Sequence, residues 1–245
     1  MKPIIGIVTK PLTEYEYPNS LWIVDYIKDE FRDAVYSGGG LAIGLLPPFH
    51  TQKYGNKKSS DTLHDNLTEE EKSDLDAILQ KCDGFILQGG LSGNYYEIYI
   101  AEYAIRNNIP IIGICAGFNT LARAVGCEMD SGESLGIAEK QHNIYSKDFR
   151  HKIDVVKDSV LYSIFQSETL NVNSLHIYFL KNHNTKLEIN ATATNLLENG
   201  SECTTIEAFT IKDTKFAMGI KWHPEIMDEQ HKRMLFDRFL DECRK

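Results

Sequence analysis

The chain has little of what disulfide scaffolds, metal centres and nucleotide sites are built from. Its five cysteines, Cys82, Cys115, Cys127, Cys203 and Cys243, are odd in number, widely spaced and free of any C-x-x-C. That argues against a disulfide framework and a zinc site, and it fits a reducing cytoplasm. The eight histidines form no H-x-x-x-H or H-E-x-x-H pair, so no metal is expected. Neither G-x-G-x-x-G nor G-K-[ST] occurs, which removes the dinucleotide fingerprint and the P-loop. Basic residues are outnumbered, 26 against 35 acidic, giving a formal charge of −9. A nucleic-acid partner is therefore disfavoured. No apolar run approaches membrane-spanning length, and the apolar stretch in Met1–Lys10 is too short for a signal peptide. The expectation is a cytoplasmic protein that engages no membrane.

What is present alternates. Pro3 to Thr9 reads as a buried first strand. Asn19 or Ser20 is expected to cap a helix carrying Ile23, Ile27, Phe31 and Ala34/Val35, with Gly38-Gly39-Gly40 stopping it. Leu41 to Leu46 reads as the second strand, and Phe49 to Leu67 as a long polar loop. Thr68-Glu69-Glu70-Glu71 is a capping box that opens a helix to about Lys81. A third strand runs into Gly89-Gly90, Tyr96 to Asn107 is helical, and Pro110 begins a fourth strand. Strands alternating with helices predict an α/β parallel sheet, with ligands at the carboxyl ends of its strands. After about Val125 the chain turns strand-rich: Ile153–Val156, Leu170–Asn173, Leu187–Thr194, and a hairpin of Thr204–Ile211 with Phe216–Trp222. A short helix at Val160–Phe165 and a last helix at Asp228–Glu242 complete the pattern. With no repeat and no linker, residues 1–245 read as one domain.

The stretch of greatest chemical interest is Gly113-Ile114-Cys115-Ala116-Gly117, a cysteine between two glycines at a strand-to-helix junction. That is the shape of a nucleophile elbow, whose strained turn exposes a reactive side chain. A thiol needs a lowered pKa to attack at neutral pH. The helix N-terminus behind Cys115 favours the thiolate, and Trp222-His223-Pro224-Glu225 offers a base in His223 and a carboxylate in Glu225 to orient it. In an extended segment, residues two apart share a face.

Together with Leu87-Gln88-Gly89-Gly90, these motifs resemble the class I glutamine amidotransferase superfamily. Pro3 to Ile7, the segment Tyr26 to Pro47 and Asn171-Val172-Asn173-Ser174-Leu175-His176 resemble the γ-glutamyl-γ-aminobutyrate hydrolase-like family. The resemblance spans essentially the whole chain. It implies a flavodoxin-like, mostly parallel sheet flanked by helices, with a strand-rich C-terminal half. It also implies Cys115 as nucleophile, His223 as base and acid, and Glu225 as orienting carboxylate. The oxyanion hole would be the backbone N–H groups of Gly90 and Ala116, and substrate-binding residues would be Asn119, Ser174 and His176. Glu97 matches a family glutamate. Gln88, Ala116, Asn119, Tyr178 and Lys221 stand where the family usually has Pro, Arg, Gln, Gln and Gln. The segment between Gly89-Gly90 and the next helix is also shorter than in the hydrolases. These differences gather on the leaving-group side, so the amine stays open.

The leading expectation is a cysteine hydrolase that cleaves a small γ-glutamyl amide through a thioester, without metal or organic cofactor. The alternative is a glutaminase subunit supplying ammonia to a separate synthase, and a third reading is a silent binding protein on the same fold. The partner is then a small γ-glutamyl molecule, with a homodimer left open. Cys82, Cys127, Cys203 and Cys243 read as packing residues and His151 as structural. His50, His64, His142, His183 and His231 read as surface residues.

Overall fold

The computed structural model describes residues 1–12, 24–48, 67–90, 95–137, 141–142 and 149–244. The strands are β1 (Ile4–Val8), β2 (Lys10–Pro11), β3 (Asp25–Tyr26), β4 (Leu41–Leu45), β5 (Gly84–Leu87), β6 (Ile111–Ile114), β7 (Met129–Ser131), β8 (His151–Val155), β9 (Thr169–Val172), β10 (Tyr178–Leu180), β11 (Leu187–Leu196), β12 (Glu202–Ile211) and β13 (Ala217–Ile220). The helices are α1 (Asp29–Ser37), α2 (Glu69–Leu79), α3 (Tyr95–Arg106), α4 (Ala116–Ala124), α5 (Val160–Phe165) and α6 (Glu229–Cys243).

Nine strands form one sheet in the order β4-β1-β5-β6-β13-β12-β11-β8-β9. From β4 to β13 neighbours run parallel, and from β13 to β9 they run antiparallel. The α/β expectation and the strand-rich second half are thus two ends of one sheet. Apolar residues alternate between its faces as strand geometry requires. Ile86, Ile112 and Ile114 join Phe31 of α1 and Phe236 and Phe239 of α6 on one face. Phe85, Leu87 and Ile111 meet Ile100 of α3 and Phe118 and Leu121 of α4 on the other. Burial on both faces explains why these strands read as unbroken apolar runs.

The capping box is formed as expected: Glu71 N–H donates to Thr68 Oγ1 at 3.2 Å, and Thr68 N–H to Glu71 Oε2 at 2.7 Å. The first helix differs from its sequence reading. It begins at Asp29, because Asp25–Tyr26 is drawn into an extended pair with Lys10–Pro11. Gln88 holds that arrangement, donating from Nε2 to Val8 O and Tyr26 O and accepting Lys28 N–H at 3.0 Å. Local periodicity could not reveal this long-range pairing. Asn19, Ser20, Ile23, and residues 49–66 with His50 and His64, lie outside the described residues. A second small sheet, β7 with β10, was not legible, since three-residue strands carry too little alternation to register. Among the described residues no helix is long and apolar enough to cross a membrane.

Candidate active site

Parallel pairing brings the carboxyl ends of β5, β6 and β13 side by side. They carry Gln88-Gly89-Gly90, Cys115 and Lys221-Trp222-His223 to one edge of the sheet. Cys115 N–H donates to Ile220 O at 2.8 Å, which fixes the cysteine beside the strand that leads to His223. Cys115 has φ 54° and ψ −101°, a conformation that costs a non-glycine residue roughly 1–3 kcal/mol. The flanking glycines are required by contact. A Cβ on Gly113 would sit 2.3 Å from Gly117 O, and one on Gly117 would sit 2.1 Å from Leu87 O. Helix α4 therefore lies directly on the sheet, with its first-turn N–H groups, Ala116 included, at the Cys115 end.

His223 is held from two sides. Its Nδ1–H donates to Glu225 Oε1 at 2.6 Å, and both side chains are almost fully buried. The contact is made through a 3-10 turn, Pro224–Ile226, and not through the extended segment expected from the sequence. Proline following the histidine favours such a turn, because its fixed φ suits a first helical position. Asn173 clamps the His223 backbone, donating from Nδ2 to its carbonyl at 2.9 Å and accepting its N–H at 2.8 Å. Among the described residues His223 Nε2 has no hydrogen bond of ordinary length. It lies close enough to Cys115 for each group to move the other's titration. Burial alone would push the Cys115 thiol up. The His223 imidazolium outweighs it, with help from Lys221 and Lys28, and brings the thiol down to about 7. Burial likewise opposes charge on His223, yet Glu225 and the Cys115 thiolate raise it to about 10. The pair accordingly favours a thiolate beside an imidazolium.

The neighbouring chain encloses this pair. Cys115 Sγ lies 3.6 Å from Leu175 O. Gly89 passes so close that a Cβ there would meet His223 Cε1 at 2.8 Å and Cys115 Cβ at 3.2 Å. Lys28 Nζ donates to Gly89 O at 3.1 Å. Behind Gly90 runs the stem of Lys10, whose ammonium forms a buried ion pair with Glu97 at 2.6 Å. Residues 91–94 lie outside the described residues.

Asn119 stands one helical turn beyond Cys115, and its Oδ1 accepts a hydrogen bond from Lys221 Nζ at 2.6 Å. Two departures from the family pattern thus meet each other. Lys221 has no exposed surface, and its ammonium lies 4.8 Å from the centre of the Phe118 ring. Burial brings Lys221 down to about 8 against the opposing pull of Cys115 and Glu207.

Ser174 and His176 are buried in a polar cluster under the same edge. Ser174 Oγ lies 3.0 Å from His142 Nδ1 and donates to His142 O at 2.9 Å. His176 Nε2 is 3.8 Å from Glu207 Oε2, and His151 Nε2 is 4.0 Å from the same oxygen. Burial, together with Lys221 and the neighbouring imidazoles, holds His176 well below the ordinary histidine range. Burial pushes Glu207 up, with His142, His151 and Lys221 pulling against it. His142, His176 and Glu207 each bring one ligand-type atom within 4.8 Å of the others. Both His142 nitrogens are already engaged, by Ser174 and by Asn195 Oδ1, whereas both His176 nitrogens, His151 Nε2 and Glu207 Oε2 have no hydrogen-bond partner among the described residues.

His142 is buried, contrary to the surface expectation, because these polar groups surround it. His231 is buried for a different reason: its Nε2 accepts the Trp222 indole N–H at 3.2 Å. Burial brings it down to about 4. His183 is exposed as expected. Asn173, Lys28 and Glu207 surround the site without having been read from the sequence as site residues, whereas Gln88 and Lys221 were read only as departures from the family pattern on the leaving-group side. For Asn173 and Lys221 the available signal was adjacency to the motifs, which names a position and not a contact.

Residues 91–225 match the family model described as Peptidase C26. The chain is 28% identical over 172 residues to a glutamine-hydrolyzing GMP synthase subunit of Picrophilus torridus, covering 69% of this chain and 80% of that protein. It is 26% identical over 206 residues to gamma-glutamyl-gamma-aminobutyrate hydrolase of Escherichia coli K12, covering 71% of this chain and 76% of that protein. The glutaminase domain of Trypanosoma brucei CTPS with bound acivicin shares the fold. Its TM-score is 0.62 at 16% identity, over 99% of this chain and 94% of that one. A family model spanning more than half of the sequence, on this fold, settles the affiliation. The chain belongs to the Peptidase C26 family, class I glutamine amidotransferase-like.

Proposed function

We propose that the protein is a cysteine hydrolase, a single 1–245 domain, that cleaves the γ-glutamyl amide bond of a small γ-glutamyl-amine. The observation that carries this reading is Cys115 on a strained turn, electrostatically coupled to a His223 that Glu225 anchors at 2.6 Å. The Cys115 thiolate attacks the γ-carbonyl carbon to form a tetrahedral intermediate. Its oxyanion is met by the backbone N–H groups of Ala116 and Gly90, donors that act most strongly when fixed in advance. His223 then protonates the departing amine, the C–N bond breaks, and a γ-glutamyl thioester remains. Water, deprotonated by His223, attacks the thioester, glutamate leaves and the thiolate is restored. Glu225 keeps the ring in one tautomer throughout. Thiol, imidazole and water carry every step.

A second reading is favoured by the similarity to the glutamine-hydrolyzing GMP synthase protein of Picrophilus torridus: glutamine hydrolysis that passes ammonia to a separate synthase. One assay separates the two. The purified chain alone is incubated with glutamine and a panel of γ-glutamyl-amines, and glutamate release is followed. Turnover of an amine conjugate by the isolated chain is the expected result. Hydrolysis of glutamine that appears only with a synthase present would replace the first reading by the second.

A further inference from the structure

Three polar side chains buried under the catalytic edge face one another without hydrogen-bonding to each other. Glu207 lies on β12, His176 just before β10 and His142 ahead of β8, so no spacing in the sequence joins them. One ligand-type atom of each lies within 4.8 Å of the others. Glu207 has no exposed surface, and His176 is 6% exposed. Both nitrogens of His176 and Oε2 of Glu207 have no hydrogen-bond partner among the described residues, and neither has His151 Nε2. Buried polar atoms are costly unless something meets them. His176 Nε2 and His151 Nε2 approach Glu207 Oε2 to 3.8 and 4.0 Å, too far for a hydrogen bond. Around a tetrahedral cation bound at about 2.0–2.1 Å, ligand atoms stand about 3.4 Å apart, so a small inward movement would let these atoms share one cation. His142 differs, since Ser174 and Asn195 engage its two nitrogens. Ser174 can release its nitrogen without loss, because its hydroxyl also has His142 O at 2.9 Å. The other ring N–H then stays on Asn195 Oδ1, the kind of carbonyl partner that fixes a ligand imidazole.

We propose that His142, His176 and Glu207 bind one divalent transition cation of the zinc type, with His151 in place as a fourth ligand. Imidazole and carboxylate suit such a cation, and Glu207 supplies the anionic ligand. Four protein ligands with no open position mark a structural site and not a catalytic one. The cation ties β12 to the segment that carries His176. That segment also brings Asn173 to the His223 backbone and Leu175 O to within 3.6 Å of Cys115 Sγ. Two groups oppose it: Lys221 acts electrostatically on both His176 and Glu207, and His223 acts on His176.

The test is metal binding to the whole chain, so it is independent of any substrate. The protein is stripped with EDTA, desalted, and titrated separately with Co2+ and Zn2+. Cobalt is expected to give the visible bands of a tetrahedral nitrogen-and-oxygen site without a near-ultraviolet thiolate band. Cys115→Ser removes the rival ligand pair of Cys115 and His223 and should leave that spectrum unchanged. About one zinc per chain should be retained on gel filtration, and zinc should raise the melting temperature by binding the folded chain. Glu207→Gln and His176→Gln remain polar and each remove a ligand. Each should weaken binding by more than the roughly 10–100-fold that loss of an outer partner costs. His183→Gln, at an exposed histidine, should change nothing. Lys221→Met removes an opposing charge and should tighten binding, and it carries the test if the ligand variants do not fold. A cobalt spectrum dominated by a thiolate band that Cys115→Ser abolishes would overturn the site. So would an affinity that neither His176→Gln nor Lys221→Met alters, or a wild type that retains no metal.

Discussion

Replacing Asn173 by Ala should separate the support of the site from its reacting groups. Among the described residues the side chain's hydrogen bonds go to neither sulfur nor imidazole; they close a two-point clamp on the His223 backbone, at 2.8 and 2.9 Å, in a buried setting. Truncation leaves the buried His223 N–H without its partner and the His223 C=O with only the Ile226 N–H at 3.4 Å. The unsatisfied N–H costs about 1–3 kcal/mol and the lost bond to the carbonyl about 0.5–1.5 kcal/mol, so a stability loss of roughly 1.5–4.5 kcal/mol follows. The same change frees the turn that aims the ring at Cys115, and misplacement of this order costs about 100-fold in rate. Urea denaturation gives the stability, and iodoacetamide labelling of Cys115 across pH reports the coupling to His223. The expected labelling midpoint rises from about 7 toward an ordinary thiol, because the imidazolium no longer sits where it lowers it. Asn173→Asp keeps the acceptor for His223 N–H but sets an oxygen against its carbonyl, so an intermediate loss is expected. A stability change within about 0.5 kcal/mol, the range of ordinary surface substitutions, together with an unmoved midpoint would refute the clamp.

Two further predictions address charge. Glu225→Gln keeps a hydrogen-bond acceptor for His223 but removes the carboxylate that raises the ring to about 10. The labelling midpoint of Cys115 should rise, and turnover should fall by less than in His223→Ala; equal losses would contradict an orienting role. His231 titrates at about 4 in the fold against 6.5 for an ordinary histidine, so the unfolded chain binds its proton first as pH falls. Its contribution is therefore complete above pH 6.5 and is lost between there and about 4, by at most roughly 3 kcal/mol. His231→Gln still offers Trp222 an acceptor but cannot titrate. Its melting temperature should fall less than that of the wild type between pH 7.5 and pH 4.5, and an identical fall would show that the ring is not the source.

Much of the parallel half was legible because its signals are local. The apolar runs of β1, β5 and β6, the Thr68 capping box and the glycine-bracketed Cys115 each depend on a few neighbouring residues. The first helix was misplaced at its start because β2–β3 pairing, a contact between distant segments, competes with helical periodicity. The buried state of His142 and His231 was equally hidden, since the groups that satisfy them are Ser174, Asn195 and Trp222.

The sequence by itself determined the order of elements, the family resemblance and the candidate trio of Cys115, His223 and Glu225. These follow from residue type and spacing. The tertiary structure decided what surrounds them. Only the alignment of β6 with β13 brings Cys115 to the strand that leads to His223, and only the segment beyond β9 supplies the Asn173 clamp. Only the close approach of α4 to β13 joins Asn119 to Lys221, 102 positions apart in the chain. Spacing along a chain names which groups are available. Their charge, orientation and pKa depend on distances that exist only after the sheet has formed.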